Sequence, residues 1–250
     1  MKMNKNCLTL MMSALSMILL VQEANAAIAL DRTRVIFNGD KSSMVVTITN
    51  QNKALPYLAQ AWVEDAEGNK IESPLMALPP LQRVEPGAKG QVKIQSMGDA
   101  VKLPQDRESL FYFNVREIPP KSSKPNTLQL ALQTRVKLFY RPNAIVIEHG
   151  AENDAFKKIT LTKSGNGYQI NNPSAHFVTI VAASATENGK DVNSFKPIMV
   201  SPKDSAQMSV NAAELGTHPV LSFINDFGGR PQATFSCNGN TCSVSAVKAG

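Results

Sequence analysis

Short β-rich runs, broken at close intervals by turn residues, leave this chain few folds to adopt. Residues 44–49, 57–63, 91–95, 110–118 and 128–140 are rich in β-branched, aromatic and alternating apolar side chains. Between or after them lie Glu67-Gly68-Asn69, Glu85-Pro86-Gly87 and Pro119-Pro120, and an earlier stretch, 28–37, runs into Asn38-Gly39. No amphipathic helical period is sustained anywhere. Strands at this spacing predict an all-β sandwich of about seven strands. The pattern pauses at Arg141-Pro142-Asn143-Ala144 and resumes at 158–162, 177–182, 198–200, 220–224 and 233–236, with Asn166-Gly167, Asn188-Gly189 and Gly228-Gly229 between. The 250 residues therefore divide into two β-domains near residue 144, spanning 27–144 and 145–250, with no sequence repeat between the halves. An apolar content of 43% with 18% charged residues supplies two cores and excludes a disordered chain.

The first 26 residues stand outside that pattern. Lys2 and Lys5 precede an apolar run of 14 residues, Leu8 to Val21, and Ala24-Asn25-Ala26 places small residues where a signal peptidase reads them. This is a secretory leader, cut after Ala26. The run is short for a bilayer span, and Cys7 precedes it, on the wrong side for a lipid anchor. No later stretch approaches the ~18 apolar residues of a transmembrane helix, so membrane insertion is not expected. Cleavage removes two lysines and one glutamate and takes the net charge from +6 to +5. The remaining basic residues are scattered among acids, which argues against nucleic acid as a partner.

Export changes how the cysteines read. Without Cys7 there remain Cys237 and Cys242, separated by Asn238-Gly239-Asn240-Thr241. Asn-Gly is a strong hairpin signal, and in an oxidising compartment the two thiols predict a disulfide closing a β-hairpin.

A search for catalytic chemistry finds little. His149, His176 and His218 form no pair at i, i+2 or i, i+4, and no nucleophile elbow or phosphate loop is present. Asp226-Phe227-Gly228 spells the metal-binding triplet of kinases without the catalytic loop or glycine-rich loop that give it meaning. An enzyme would require a triad converging from distant positions. The expectation is a chain that is not an enzyme and takes no metal or other cofactor.

The run 128–140 is more informative. Its even positions carry Leu128, Leu130, Leu132, Thr134, Val136, Leu138 and Tyr140; its odd positions are mostly polar. Thirteen residues is long against a typical strand of ~5–6. Either the strand faces its own core throughout, or part of it outruns that core and offers Leu128, Leu130 and Leu132 to a partner by strand addition. Arg34 and Lys137 are each unremarkable as solvated strand residues; brought together they would bind a carboxylate.

One segment carries a family resemblance. Residues 103–120, from Leu103-Pro104-Gln105-Asp106-Arg107-Glu108 through Phe111-Tyr112-Phe113-Asn114-Val115-Arg116 to Pro119-Pro120, resemble the PapD-like periplasmic pilus (fimbrial) assembly chaperones. Leu30-Asp31-Arg32-Thr33-Arg34, the stretch from Leu55-Pro56 to Trp62, Val136-Lys137-Leu138-Phe139-Tyr140-Arg141-Pro142, Ile224-Asn225-Asp226-Phe227-Gly228-Gly229-Arg230-Pro231 and the Cys237/Cys242 hairpin support it, so that nearly the whole chain after residue 26 is covered. The resemblance implies two immunoglobulin-like β-sandwiches set as a boomerang. It places Arg34 and Lys137 at the cleft base, where they bind a subunit's C-terminal carboxylate. Leu128, Leu130 and Leu132 become donor residues for the subunit's open groove, and Glu108, Arg141 and Asp226 an inter-domain charge network. The short stretch 119–126 before the donor run resembles the short-loop subgroup associated with rod-forming pili. The implied partners are pilin subunits and the outer-membrane usher, with self-association of the free chaperone; the implied location is the periplasm. The competing reading is a structural fimbrial subunit or adhesin, which would be a single incomplete domain.

Overall fold

The structure, a computed structural model, describes residues 26–250. The expected leader up to Asn25, and Cys7 with it, lies outside the described residues.

The first half of the chain forms two facing sheets. One has the order β1 (Ile28–Leu30), β3 (Ser43–Asn50), β8 (Lys89–Ser96), β6 (Leu75–Leu78), all antiparallel. The other has the order β2 (Arg34–Asn38), β10 (Gln133–Arg141), β9 (Ser109–Ile118), β4 (Tyr57–Glu64), β5 (Lys70–Ile71), with β7 (Leu81–Val84) also paired to β4. Alternation along each strand sends one row inward: Val46 and Ile48 from β3, Phe111, Phe113 and Val115 from β9, Val136, Leu138 and Tyr140 from β10. Asn50 is fully buried, and its amide is satisfied by the carbonyls of Leu55 and Val84 and by the N–H of Asn52.

Two strand expectations are corrected. Residues 28–37 are two strands in different sheets: β1 pairs antiparallel with β3, and β2 runs parallel to β10. The corner is Asp31-Arg32-Thr33, where the Asp31 carboxylate accepts from Arg32 and from the Thr47 N–H. Residues 128–140 are not one long strand either; the ladder begins at Gln133 and runs to Arg141.

The second half is one eight-stranded sheet, in the order β14 (Ile198–Val200), β13 (Val178–Ser184), β16 (Val220–Phe223), β17 (Gln232–Asn238), β18 (Thr241–Lys248), β11 (Thr160–Ser164), β12 (Gly167–Asn172), β15 (Asp204–Asn211). Its end strands β14 and β15 come together, so the sheet closes over a separate core that includes Phe156, Tyr168, Phe223 and Phe235. The hairpin β17–β18 turns through Gly239, at φ 61°, and Asn240, and Cys237 is bonded to the core-facing Cys242. So short a loop restricts the unfolded chain by only ~2 kcal/mol. Among the described residues no helix is long and apolar enough to cross a membrane, and no group of three His, Cys, Asp or Glu side chains could hold a metal.

Candidate functional site

Parallel pairing of β2 with β10 sets Arg34 opposite Lys137. Val35, Phe37, Val136 and Leu138 fill the core, so the alternate residues Arg34, Lys137, Phe139 and Arg141 face away from it, toward the second domain. Arg34 is 8% exposed; its Nη1 donates to the Ile224 carbonyl at 3.1 Å, its guanidinium lies 5.9 Å from the Phe139 ring centroid, and its Nε has no partner. Burial holds its pKa down, against the pull of Asp226 and Glu108. The half-buried Lys137 amine is also held below its ordinary value, first by burial and then by the Arg34 charge. Two cations side by side, with no carboxylate between them among the described residues, have the chemistry to suit an anion. Arg34 opens on a cavity of about 530 Å³, in whose wall Asp31 is paired with Arg32 and Asp226 with Arg141, while Glu152 faces His149.

Behind this pair the domains are tied by Glu108, Arg141 and Asp226. Arg141 donates from Nε to Glu108 Oε1 at 2.8 Å and from Nη1 and Nη2 to both Asp226 oxygens at 2.7 and 3.0 Å. Glu108 is 4% exposed. Burial pushes its carboxyl up, while the Arg141 charge, His176 and the Phe177 N–H pull it down. Both Glu108 oxygens accept, so the geometry is that of a carboxylate.

Sequence reading did not find the rest of this joint. The Phe177 N–H donates to Glu108 Oε2 at 2.7 Å, the Glu108 N–H donates to the Ala175 carbonyl at 2.9 Å, and the Phe139 and Phe177 rings pack tilted across the boundary, 5.3 Å between centroids. Lys203 pairs with Asp106. Backbone donors carry no side-chain signature, but the exception to alternation at Phe139-Tyr140, apolar on both faces, was a usable signal of a strand covered twice.

The turn that presents Asp226 is held by the Asn225 side chain, which accepts from the N–H groups of Phe227 and Gly229. Gly228 has φ 83°, and a Cβ there would meet Thr33 Oγ1 of the first domain at 2.7 Å. Gly228→Ala is expected to cost ~1–2 kcal/mol from the left-handed backbone alone. A fall in the denaturant midpoint checks this; an unchanged midpoint would mean that alanine takes this turn without strain.

The leucines lie away from the cations, in the segment that leads into β10. Lys137 lies five residue steps from Leu132, ~17 Å in extended chain. The core-facing row reads Leu138 0% and Val136 9% exposed, then Leu132 43%, Leu130 67% and Leu128 83%. The row continues where the core has ended. Backbone support ends with it: the Glu117 N–H donates to the Leu132 carbonyl at 2.9 Å, and Gln129 reaches only Pro120 through its side chain. On its other edge β10 meets β2 only from Lys137 onward, because β1 has left for the opposite sheet.

Comparison with known proteins matches residues 27–146 to the "Pili and flagellar-assembly chaperone, PapD N-terminal domain" and residues 154–235 to the "Pili assembly chaperone PapD, C-terminal domain". The chain belongs to the PapD family of pilus-assembly chaperones. It is 49% identical over 243 residues to the probable fimbrial chaperone YfcS of Escherichia coli K12, covering 97% of this chain and 94% of that one. To the chaperone protein PapD of Escherichia coli it is 48% identical over 230 residues, covering 91% and 94%. Among solved structures it is similar to the Salmonella enterica SafB chaperone in complex with the SafA pilin, at 25% identity and a TM-score of 0.66, covering 82% of this chain and 93% of that one. The family is one of chaperones, and two domains with separate cores set this member apart from a single-domain structural subunit.

Proposed function

We propose that this chaperone, working in the periplasm, lends residues 128–132 to a pilus subunit as a strand, seats the subunit's C-terminal carboxylate on Arg34 and Lys137, and passes the capped subunit to the outer-membrane usher. The observation that carries the reading is the outward run of Leu132, Leu130 and Leu128 beyond the core on an unpaired backbone edge. A subunit lacking its last strand has a groove of unpaired backbone groups, each costing ~1–3 kcal/mol if buried unsatisfied. A lent strand satisfies them, and alternate leucines cover the groove; strand donation to pilins is a known form of β-augmentation. The division between the domains falls near residue 144, supported by the end of β10 at Arg141 and the gap between the two matched family regions.

The pairing of β2 supports a sense for the incoming strand. β2 already occupies the outer edge of β10 from Lys137 to Arg141, running parallel to it. An incoming strand takes the same edge below Lys137 and must stop where Arg34 begins. Its carboxylate lies at Arg34 and Lys137 only if it runs parallel to β10. No covalent step or nucleotide is invoked, since exchange for another subunit's strand can run downhill.

Lys137→Ala tests the anchor more cleanly than Arg34→Ala, because Arg34 also holds the Ile224 carbonyl. Loss of one partner of a desolvated carboxylate costs ~2–5 kcal/mol, which is about 30- to several-thousand-fold in affinity. Circular dichroism of Lys137→Ala is expected to match the parent while pilin co-purification is lost; normal co-purification would remove Lys137 from the site. A bound carboxylate favours the charged amine, so complex formation is expected to raise the depressed Lys137 pKa and slow its acylation at alkaline pH.

A further inference from the structure

Glu117 is a buried carboxylate with no counter-charge among the described residues. It is 5% exposed and ends the core-facing row of β9 that begins with Phe111, Phe113 and Val115. Its side chain accepts one hydrogen bond, from the Ile28 backbone N–H to Oε2 at 2.9 Å. No described lysine, arginine or histidine pairs with it. Buried carboxylates are normally paired or multiply hydrogen-bonded, and the other deeply buried one, Glu108, has Arg141.

The missing charge is one residue away. Ala27 precedes Ile28 and is held by its carbonyl, which accepts from the Gln51 N–H at 2.7 Å. A residue spans at most ~3.6 Å, so the Ala27 nitrogen lies within roughly 6.5 Å of Glu117 Oε2. In the uncut chain that nitrogen is a neutral amide. Cleavage after Ala26 turns it into an α-ammonium, with three donors and an ordinary pKa of about 7.7–8.0.

We propose that Glu117 receives the α-ammonium that leader removal creates at Ala27, so that proteolytic processing completes the root of the donor segment. The backbone N–H of the same Glu117 holds the Leu132 carbonyl, at the start of the exposed leucine run. Ile28, Leu30, Thr134 and Val136 line a recess of about 370 Å³ beside the free edge of β10. The ion pair ties β1 to β9 beneath that recess, and a chain still carrying its leader has Glu117 uncompensated there. The inference rests on cleavage after Ala26 and goes beyond strand lending; its readouts need no subunit, so the two can fail separately.

The test uses the exported protein, whose N-terminus is first read by mass spectrometry, its Nα-acetylated form, and Glu117→Gln in both forms. The α-amine of the parent is expected to titrate about one unit or more above its ordinary 7.7–8.0, and to return to it in Glu117→Gln. Acetylation should lower the melting temperature of the parent and not of Glu117→Gln. Because the ammonium's folded pKa is raised, its stabilisation is full below the ordinary value and lost as pH rises through the folded one, so the acetylation penalty should shrink in alkali. If Glu117→Gln does not fold, the parent's titration decides alone. An α-amine titrating at its ordinary value, or a mature N-terminus other than residue 27, overturns the proposal.

Discussion

Arg141→Ala is expected to destabilise the chaperone itself by ~3–5 kcal/mol, the cost of leaving a buried charge without its partner. Arg141 is 4% exposed and, among the described residues, is the one cation hydrogen-bonded to both Glu108 and Asp226, so its loss leaves a carboxylate on each domain without that partner. The Phe177 N–H remains on Glu108, but one hydrogen bond does not replace a charge. The effect has a pH signature. Burial already raises the Glu108 carboxyl, and removing the Arg141 charge raises it further. A carboxyl with a raised folded pKa contributes stability that is present below its unfolded value and lost as pH rises through the folded one. The deficit of Arg141→Ala relative to the parent should therefore grow from about pH 4.5 upward and shrink in acid, and Glu108→Gln in the same chain should recover part of it. Thermal melts across pH read this directly. A melting temperature and periplasmic yield equal to the parent's would show that the network does not hold the domains.

How far this architecture could be read without coordinates depended on which physical signal each part leaves in sequence. Strands with a clear apolar row, such as β3, β4, β8 and β9, were located within two or three residues, because half-burial imposes a period of two. The hairpin at Cys237 and Cys242 was legible because Asn-Gly and two thiols are local signals. β15 was missed: only Met208 and Val210 of its eight residues are buried, and the rest is polar but for the small Ala206. The short β5, β6 and β7 were missed for want of length. The break at Asp31-Arg32-Thr33 was missed because apolar residues flank it on both sides, and a change of sheet leaves the period intact. Arg34 and Lys137 carry no local mark, since a strand residue beside another cation reads as solvated until the register of β2 on β10 is known. The family resemblance singled them out; the structure supplies the burial, the orphan Nε and the absence of an acid between them.

Leu130→Glu separates a strand that is lent from one that is kept, and the two readings predict opposite results. Had residues 128–140 formed one strand over the chaperone's own core, a carboxylate at position 130 would be buried without a partner and the free protein would unfold. The observed exposure of 67%, between 43% at Leu132 and 83% at Leu128, places the side chain in water, where a glutamate costs the free chaperone little. The whole penalty is then paid in the complex. Withdrawing the leucine from the subunit groove forfeits ~1.5–3 kcal/mol of apolar burial. The carboxylate that replaces it must be desolvated against a surface shaped for an alkyl chain. Together these exceed the ~4 kcal/mol that separates capture from none at a thousandfold loss of affinity. The same substitution should also make the free protein less prone to self-associate, because it places a charge on a bare apolar edge. Circular dichroism of Leu130→Glu alone, followed by a pilin pull-down, gives the answer in that order: a native spectrum with capture abolished is the expected result, and unfolding before any subunit is added would place the leucine row inside the chaperone and end its role as donor.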